Sequence, residues 1–331
     1  MSILASIAFA AVQIALIGES PSPTEGLGLS GLAWKGQDSY FAVEDRTGEL
    51  YPLTIPIDRE TGRAVRCELG VPVKLDGRKD LESVVWDATR ACIWASDEKD
   101  CSVRAFLPAT GRMVDTIELP PCYSAFRSNY AIEAMALRVD GRELWVCNED
   151  ALSRKRAVNK KGVAFDDGPL ATRTNGSLVR LQKMTRPTPL APWAPAGQYA
   201  YETDPLAGMN VLNKARSGVS ELCCLDDGTL LVLEREFSIK ANLRPAFRCR
   251  IYEVDMRAAT DTSNATSLLS DGIRRVAKRR VFEADTGLTM YESLCLGPAL
   301  ADGSRVLVLV ADAGEGSAAK IMTLKLQQKG L

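Results

Sequence analysis

Carboxylates recur in this chain where apolar runs begin and end. Glu82, Glu133 and Glu292 each open such a run, and Glu98, Glu149/Asp150 and Asp312 each close the run that follows. Ser30 with Glu44/Asp45, and Ser220/Glu221 with Glu234, hold the same two places in two further copies. In an antiparallel pair the start of one strand lies beside the end of the next, so each copy brings its acids together. Like charges a few ångströms apart raise one another's pKa, and the simple remedies are a hard cation or interleaved Arg and Lys. An acidic strand end taken singly is commonly just solvated; recurrence at one place in successive units is what points to a site.

The sequence has no histidine. That excludes Ser-His-Asp and Cys-His relays, a histidine phosphoenzyme and any imidazole metal ligand. An oxygen-only donor set favours Ca²⁺, which takes about six to eight oxygens in flexible geometry. The expected ligands are Glu82, Glu98, Glu133, Glu149, Glu292 and Asp312, with Glu133 and Glu149 as the residues expected to act on a bound water. Arg46, Arg127 and Arg235 are expected to face an anionic substrate, and Lys99 and Arg154-Lys155-Arg156 lie near the same strand ends.

The elements that must position these groups are legible as a repeat. LSGLAW (29–34), LESVVW (81–86), IEAMAL (132–137), VSELCCL (219–225) and YESLCL (291–296) are variants of one strand. Each is followed by a turn and a second apolar strand ending in acid: SYFAVED, ACIWASDE, ELWVCNED, TLLVLERE and RVLVLVAD. Ser30 to Glu82 is 52 residues, Glu82 to Glu133 is 51, Glu133 to Ser220 is 87 and Ser220 to Glu292 is 72. A spacing near 50 with room for four strands is that of a propeller blade. The fold class is therefore all-β: a five-bladed β-propeller, with six blades as the alternative if an insertion hides a degenerate one. The last unit runs out of chain one strand short, and VQIALIGE (12–19) is expected to supply that strand and close the ring. A short helix is expected near Ser267–Lys278. Residues 151–195, with SRKRAVNKKGVAFDDG and the Pro-rich RPTPLAPWAP, read as loop leaving the third blade and then connecting strands. Trp34, Trp86, Trp94 and Trp145 are expected in blade packing.

The 331 residues carry 41 Lys+Arg against 42 Asp+Glu, so no global basic field exists to hold nucleic acid or an anionic membrane. The apolar run Ile3–Ile17 is shorter than the roughly 20 residues a membrane span needs. Residues 1–11 are read as a signal peptide or a disordered N-terminus, with Ala8-Phe9-Ala10 as the cleavage-type triplet, and residues 12–331 as one domain. Nine cysteines without a C-x-x-C pair read as core thiols, with Cys101–Cys122 as a disulfide option. Asn175-Gly176-Ser177 and Asn264-Ala265-Thr266 match the glycosylation pattern.

GLSGLAW with FAVEDR and LYPL, Asp80-Leu81-Glu82-Ser83, ASDE (95–98), Asn129 before IEAMAL, NEDAL (148–152), VSELCCLDDGTLLVLERE and RIYEVDM (250–256) together resemble the phytase-like family, described as "esterase-like activity of phytase". The resemblance spans about Gln13 to Leu326. Tyr130-Ala131-Ile132 and Ser83 depart from it, standing where the family tends to have Gly and an aromatic, and Gly, respectively. The resemblance implies a secreted or periplasmic propeller with phosphoester or ester hydrolysis, and it adds Asn129 to the expected substrate-binding residues. The leading expectation is a monomeric, Ca²⁺-dependent hydrolase of small anionic phosphoesters. The alternatives are a lactonase or carboxylic esterase on the same face, and a non-catalytic module that binds a ligand or a protein.

Overall fold

Each repeat folds as an antiparallel sheet, and five sheets stand around one axis. The structure is a computed structural model that describes residues 9, 11–77, 80–126, 131–152, 165–314 and 318–329. Strand β1 (Ala11–Pro21) comes first but belongs to the last sheet. Blade one holds β2 (Leu29–Gly36), β3 (Ser39–Glu44) and β4 (Glu49–Thr54), edged by the short β5 (Glu68–Leu69) and β6 (Val73–Lys74). Blade two is β7 (Leu81–Asp87), β8 (Cys92–Asp97), β9 (Ser102–Phe106) and β10 (Met113–Ile117). Blade three is β11 (Ile132–Leu137), β12 (Glu143–Asn148), β13 (Leu178–Thr185) and β14 (Ala194–Glu202). Blade four is β15 (Arg216–Cys224), β16 (Leu230–Ile239), β17 (Pro245–Asp255) and β18 (Ala277–Gly287). Blade five begins with β19 (Met290–Tyr291) and β20 (Cys295–Ala299), both paired with β21 (Arg305–Asp312), followed by β22 (Lys320–Lys329) and then β1.

The innermost strands β2, β7, β11, β15 and β20 abut in sequence around the axis. Their approach is close: a Cβ on Gly31 would come within 2.8 Å of the Ser83 backbone in the next blade. Five apolar clusters fill the five clefts between neighbouring blades, so the core is a ring of wedges rather than one central mass. Trp94 and Trp145 sit in those wedges as expected, whereas Trp34 and Trp86 are only partly buried. The ring has five blades, not six; both long repeat intervals are insertions. One separates β12 from β13, the other β17 from β18, and they meet where the Leu268 N–H donates to Asp167. Asp167 also forms an ion pair with Arg180 at 2.7 Å, both side chains fully buried. The expected helix at Ser267–Lys278 is instead turns leading into β18, because Asp167 and Thr260 take up the backbone N–H groups of Leu268 and Arg274. β13 lies between the two irregular parts of 151–195, and the Pro-rich segment forms the β13–β14 connection. All nine cysteines are free thiols, Cys101 and Cys122 included.

β1 pairs with β22 over its whole length, and Val12 is buried in the wedge between blades four and five. Tyr291 Oη donates to Glu19, tying β1 to the inner strand as well. Removing residues 1–21 uncovers the β22 edge and strips an apolar face from that wedge. Such a chain is expected to melt at lower temperature and to self-associate; light scattering during a thermal ramp checks this, and an unchanged monomeric melt refutes it.

Candidate functional site

The site is built from one irregularity that every innermost strand shares. Pairing runs Leu29–Glu44, skips Ser30, and resumes at Gly31–Val43. It runs Ile132–Asn148, skips Glu133, and resumes at Ala134–Cys147; in blade four it skips Ser220 in the same way. In blade two Glu82 and Ser83 stand against Ser96 alone, and in blade five the break falls between Tyr291 and Cys295. A bulge of this kind leaves one residue out of the ladder and re-aims its side chain. The residues so placed are Ser30, Glu82, Glu133, Ser220 and Glu292.

The second strands complete the ring, in blades one to three from the residue just past the strand end and in blades four and five from a paired residue within the strand. Asp45, Glu98, Glu149, Arg235 and Asp312 occupy equivalent places, opposite or next to Gly28, Asp80, Ala131, Gly218 and Met290. A cavity of about 280 Å³ at this mouth of the channel is lined by Asp45, Arg46, Glu82, Glu98, Glu133, Glu149, Arg235, Met290, Glu292 and Asp312. Close packing is required here: a Cβ on Gly218 would stand 2.7 Å from Glu149 Cγ. All six expected ligands therefore line one cavity, together with Arg46 and Arg235. Arg127, Asn129 and Arg154–Arg156 lie outside the described residues.

Four of the acids named at strand starts and ends, Glu44, Asp150, Glu221 and Glu234, do not join them. Side chains alternate along a strand, so the residue before each cavity carboxylate faces away from it. Glu44 accepts from the N–H groups of Arg46 and Thr47 and staples the β3–β4 turn. Glu234 accepts from Tyr201 Oη on β14 of blade three and pairs with Lys278 on β18, the outer strand of blade four. Glu221 is buried one step deeper in the channel, where Ser83 Oγ and the N–H groups of Met135 and Leu222 donate to it. Two contributors stand outside the expected ligand set. Asp45 holds the place in blade one that Glu98 and Glu149 hold in blades two and three, and the alignment of repeats contained that signal. Asp80 precedes Glu82 by two residues, which in extended chain returns it to the same side.

Seven carboxylates facing one another in a partly dry cavity cannot all hold charge. Burial, then the neighbouring Glu292 and Glu98, drive Glu82 well above the ordinary carboxylate range. Burial, then Glu82 and Glu149, do the same to Glu133. Glu98, Glu149 and Glu292 are pushed up to about 7, mainly by burial, and Asp45 to about 7 by burial and Asp312. Arg235 opposes this. Its guanidinium meets Glu149 Oε1 at 2.8 Å and Glu292 Oε1 at 2.6 Å, and those two acids raise its own pKa against the effect of burial. Arg46 lies at the open side, 3.4 Å from Asp45 and 43% exposed.

Carboxylate oxygens of Glu98, Glu133 and Glu149 all lie within 4.8 Å of one another, and so do those of Asp80, Glu82 and Glu98. Oxygens at such spacing around one centre suit a hard cation, and an all-carboxylate donor set with no imidazole or thiolate suits Ca²⁺ better than a transition metal. Among the described residues no helix is long and apolar enough to cross a membrane.

The chain matches the model of the phytase-like family, "esterase-like activity of phytase", over residues 25–313 and belongs to that family. No curated protein matches it. Among solved structures it is similar to Myxococcus xanthus glutaminyl cyclase at 10% identity and a TM-score of 0.41, covering 98% of this chain and 100% of that one. It is also similar to Staphylococcus aureus virginiamycin B lyase at 10% identity and 0.38, covering 96% and 100%, and to the β-propeller domain of Vanderwaltozyma polyspora Nup133 at 8% and 0.35, covering 90% and 71%.

The raised carboxylate pKa values fix the sign of a pH effect in metal-free protein. An unfolded Glu releases its proton near pH 4.3 to 4.5, roughly, while these folded groups keep theirs to about pH 7, so the folded state binds more protons between those limits and loses stability as pH rises. With EDTA present, the melting temperature is expected to be highest near about pH 5 and to fall steadily to about pH 7.5. A melting temperature that rises across this window would refute the clustering.

Proposed function

We propose that the protein is a calcium-dependent hydrolase of small phosphoesters, acting at the acidic mouth of the propeller axis. The observation that carries this reading is the convergence of seven carboxylates in a cavity open to solvent, where burial and then the neighbouring acids lift Glu82 and Glu133 well above the ordinary carboxylate range. The family description supports ester cleavage. A dication bound there would supply Lewis acidity and a more acidic water.

In this reading Glu82, Glu98, Glu133, Glu149, Glu292 and Asp312 hold the ion and give up their protons to do so. Glu133, the most enclosed of the bulge carboxylates, orients the attacking water and takes its proton; the water oxygen bonds to phosphorus as the ester P–O bond breaks, and the departing alkoxide oxygen takes a proton from solvent water to leave as the alcohol. Arg46 faces the phosphoryl oxygens and offsets the charge that grows on them. Arg235, engaged at both ends by Glu149 and Glu292, keeps those two carboxylates apart and aimed inward. A secreted or periplasmic location is part of the proposal; its support is the segment Ile3–Ile17 with Ala8-Phe9-Ala10, most of which lies outside the described residues.

The assay is hydrolysis of p-nitrophenyl phosphate beside p-nitrophenyl acetate, with EDTA and with calcium restored. Phosphate ester turnover that EDTA abolishes and calcium restores is expected, and Glu133→Gln should lower kcat by about a hundredfold or more. Acetate turnover alone transfers the reading to a carboxylic esterase or lactonase. Activity untouched by EDTA overturns the metal role. At about pH 7.5 calcium is also expected to raise the melting temperature of the wild type, and by much less in Glu98→Gln, because Glu98 belongs to both oxygen trios. An equal rise in both proteins refutes the assignment of Glu98.

A further inference from the structure

The axial channel has a second mouth, and its chemistry is the opposite of the first. We propose that this mouth is a binding site for a small amphipathic carboxylate, with the apolar body seated in the channel and the anionic head at Lys35. The proposal does not rest on the hydrolase reading, since the two cavities share no lining residue.

The cavity here measures about 240 Å³, room for roughly eight waters or a ligand of that bulk. All five innermost strands supply its wall, with Leu32, Val85, Met135, Leu222 and Leu294 among the apolar side chains. Its inner end is closed. Glu221 lies between the two cavities along β15, and its carboxyl accepts hydrogen bonds from Ser83 Oγ and two backbone N–H groups. A ligand entering here cannot run through to the carboxylates on the other side, which limits its length.

The rim decides the sign of the head group. Lys35, Arg138 and Arg305 line it against one acid, Asp226. Two of the three cations are spoken for. Arg305 forms an ion pair with Asp226, donates to the Gly297 carbonyl at 2.7 Å and lies over Trp34; Arg138 meets Asp140 at 3.4 Å. Lys35 Nζ sits 5.7 Å from the Trp86 ring centroid and 5.3 Å from that of Phe41, and among the described residues no carboxylate pairs with it. A single unpaired ammonium held at an aromatic wall beside an apolar hollow matches one carboxylate on an apolar body. A polyanion would need more unpaired cations than this rim has.

The probe is 2-naphthoate, titrated calorimetrically into the full chain with calcium present, beside the uncharged naphthalene-2-carboxamide. The test variant is Lys35→Glu; Lys35 is exposed, so the fold should hold, and an unchanged melting temperature checks that. Naphthoate is expected to bind the wild type and to lose tenfold or more in affinity in the variant, while the carboxamide changes by less than twofold. Three results overturn the proposal: no naphthoate binding at millimolar concentration, equal naphthoate affinity in both proteins, or equal losses for both probes.

Discussion

Mutual repulsion among carboxylates in a poorly solvated space is the constraint on which this molecule turns. Burial first, and then the neighbouring acids, hold the protons of Asp45, Glu82, Glu98, Glu133, Glu149 and Glu292 to a higher pH, and the groups cannot separate, because a bulge in every inner strand directs a side chain at the axis. What keeps them in place is the stiffness of the frame. Five apolar wedges fix the blades, Gly218 lets blade four approach Glu149, and Arg235 divides Glu149 from Glu292. The energy held in that arrangement is what a dication would release on entry.

Much of this was readable in the residues. Five copies of a strand pair, spaced for four strands each, specified the number of blades, and the missing last strand had one available donor at the other end of the chain. The six acids chosen as ligands share a cavity because strand starts and ends must meet in an antiparallel pair. What the pattern could not supply was register. Glu44 and Asp45, or Glu234 and Arg235, are neighbours in sequence and opposite in direction, and only the pairing of Leu29 with Glu44 and Val219 with Glu234 says which one faces the axis. Glu221 shows the same limit: one residue after the bulge, it caps backbone N–H groups inside the channel instead of lining the acidic mouth. The supposed helix near Ser267 failed for a different reason. Its N–H groups are taken by Asp167 and Thr260, more than ninety residues away in the first case, a tertiary contact that no local period reveals.

The two ends of the channel illustrate how one scaffold holds incompatible environments. Two positions along the chain lead from Glu82, Glu133 and Glu292 to Val84, Met135 and Leu294 of the far cavity, and Glu221 with its three donors marks the boundary. Trp34 and Trp86 pack against the wedges on either side of blade one and, being partly exposed, also line the far mouth.

Blade five joins β1 to β19, β20, β21 and β22, and it also brings Glu292 and Asp312 to the axis. The acidic chamber is therefore complete only once blade five has closed: a chain lacking β21 and β22 has no Asp312 at the axis and leaves β1 without its partner strand.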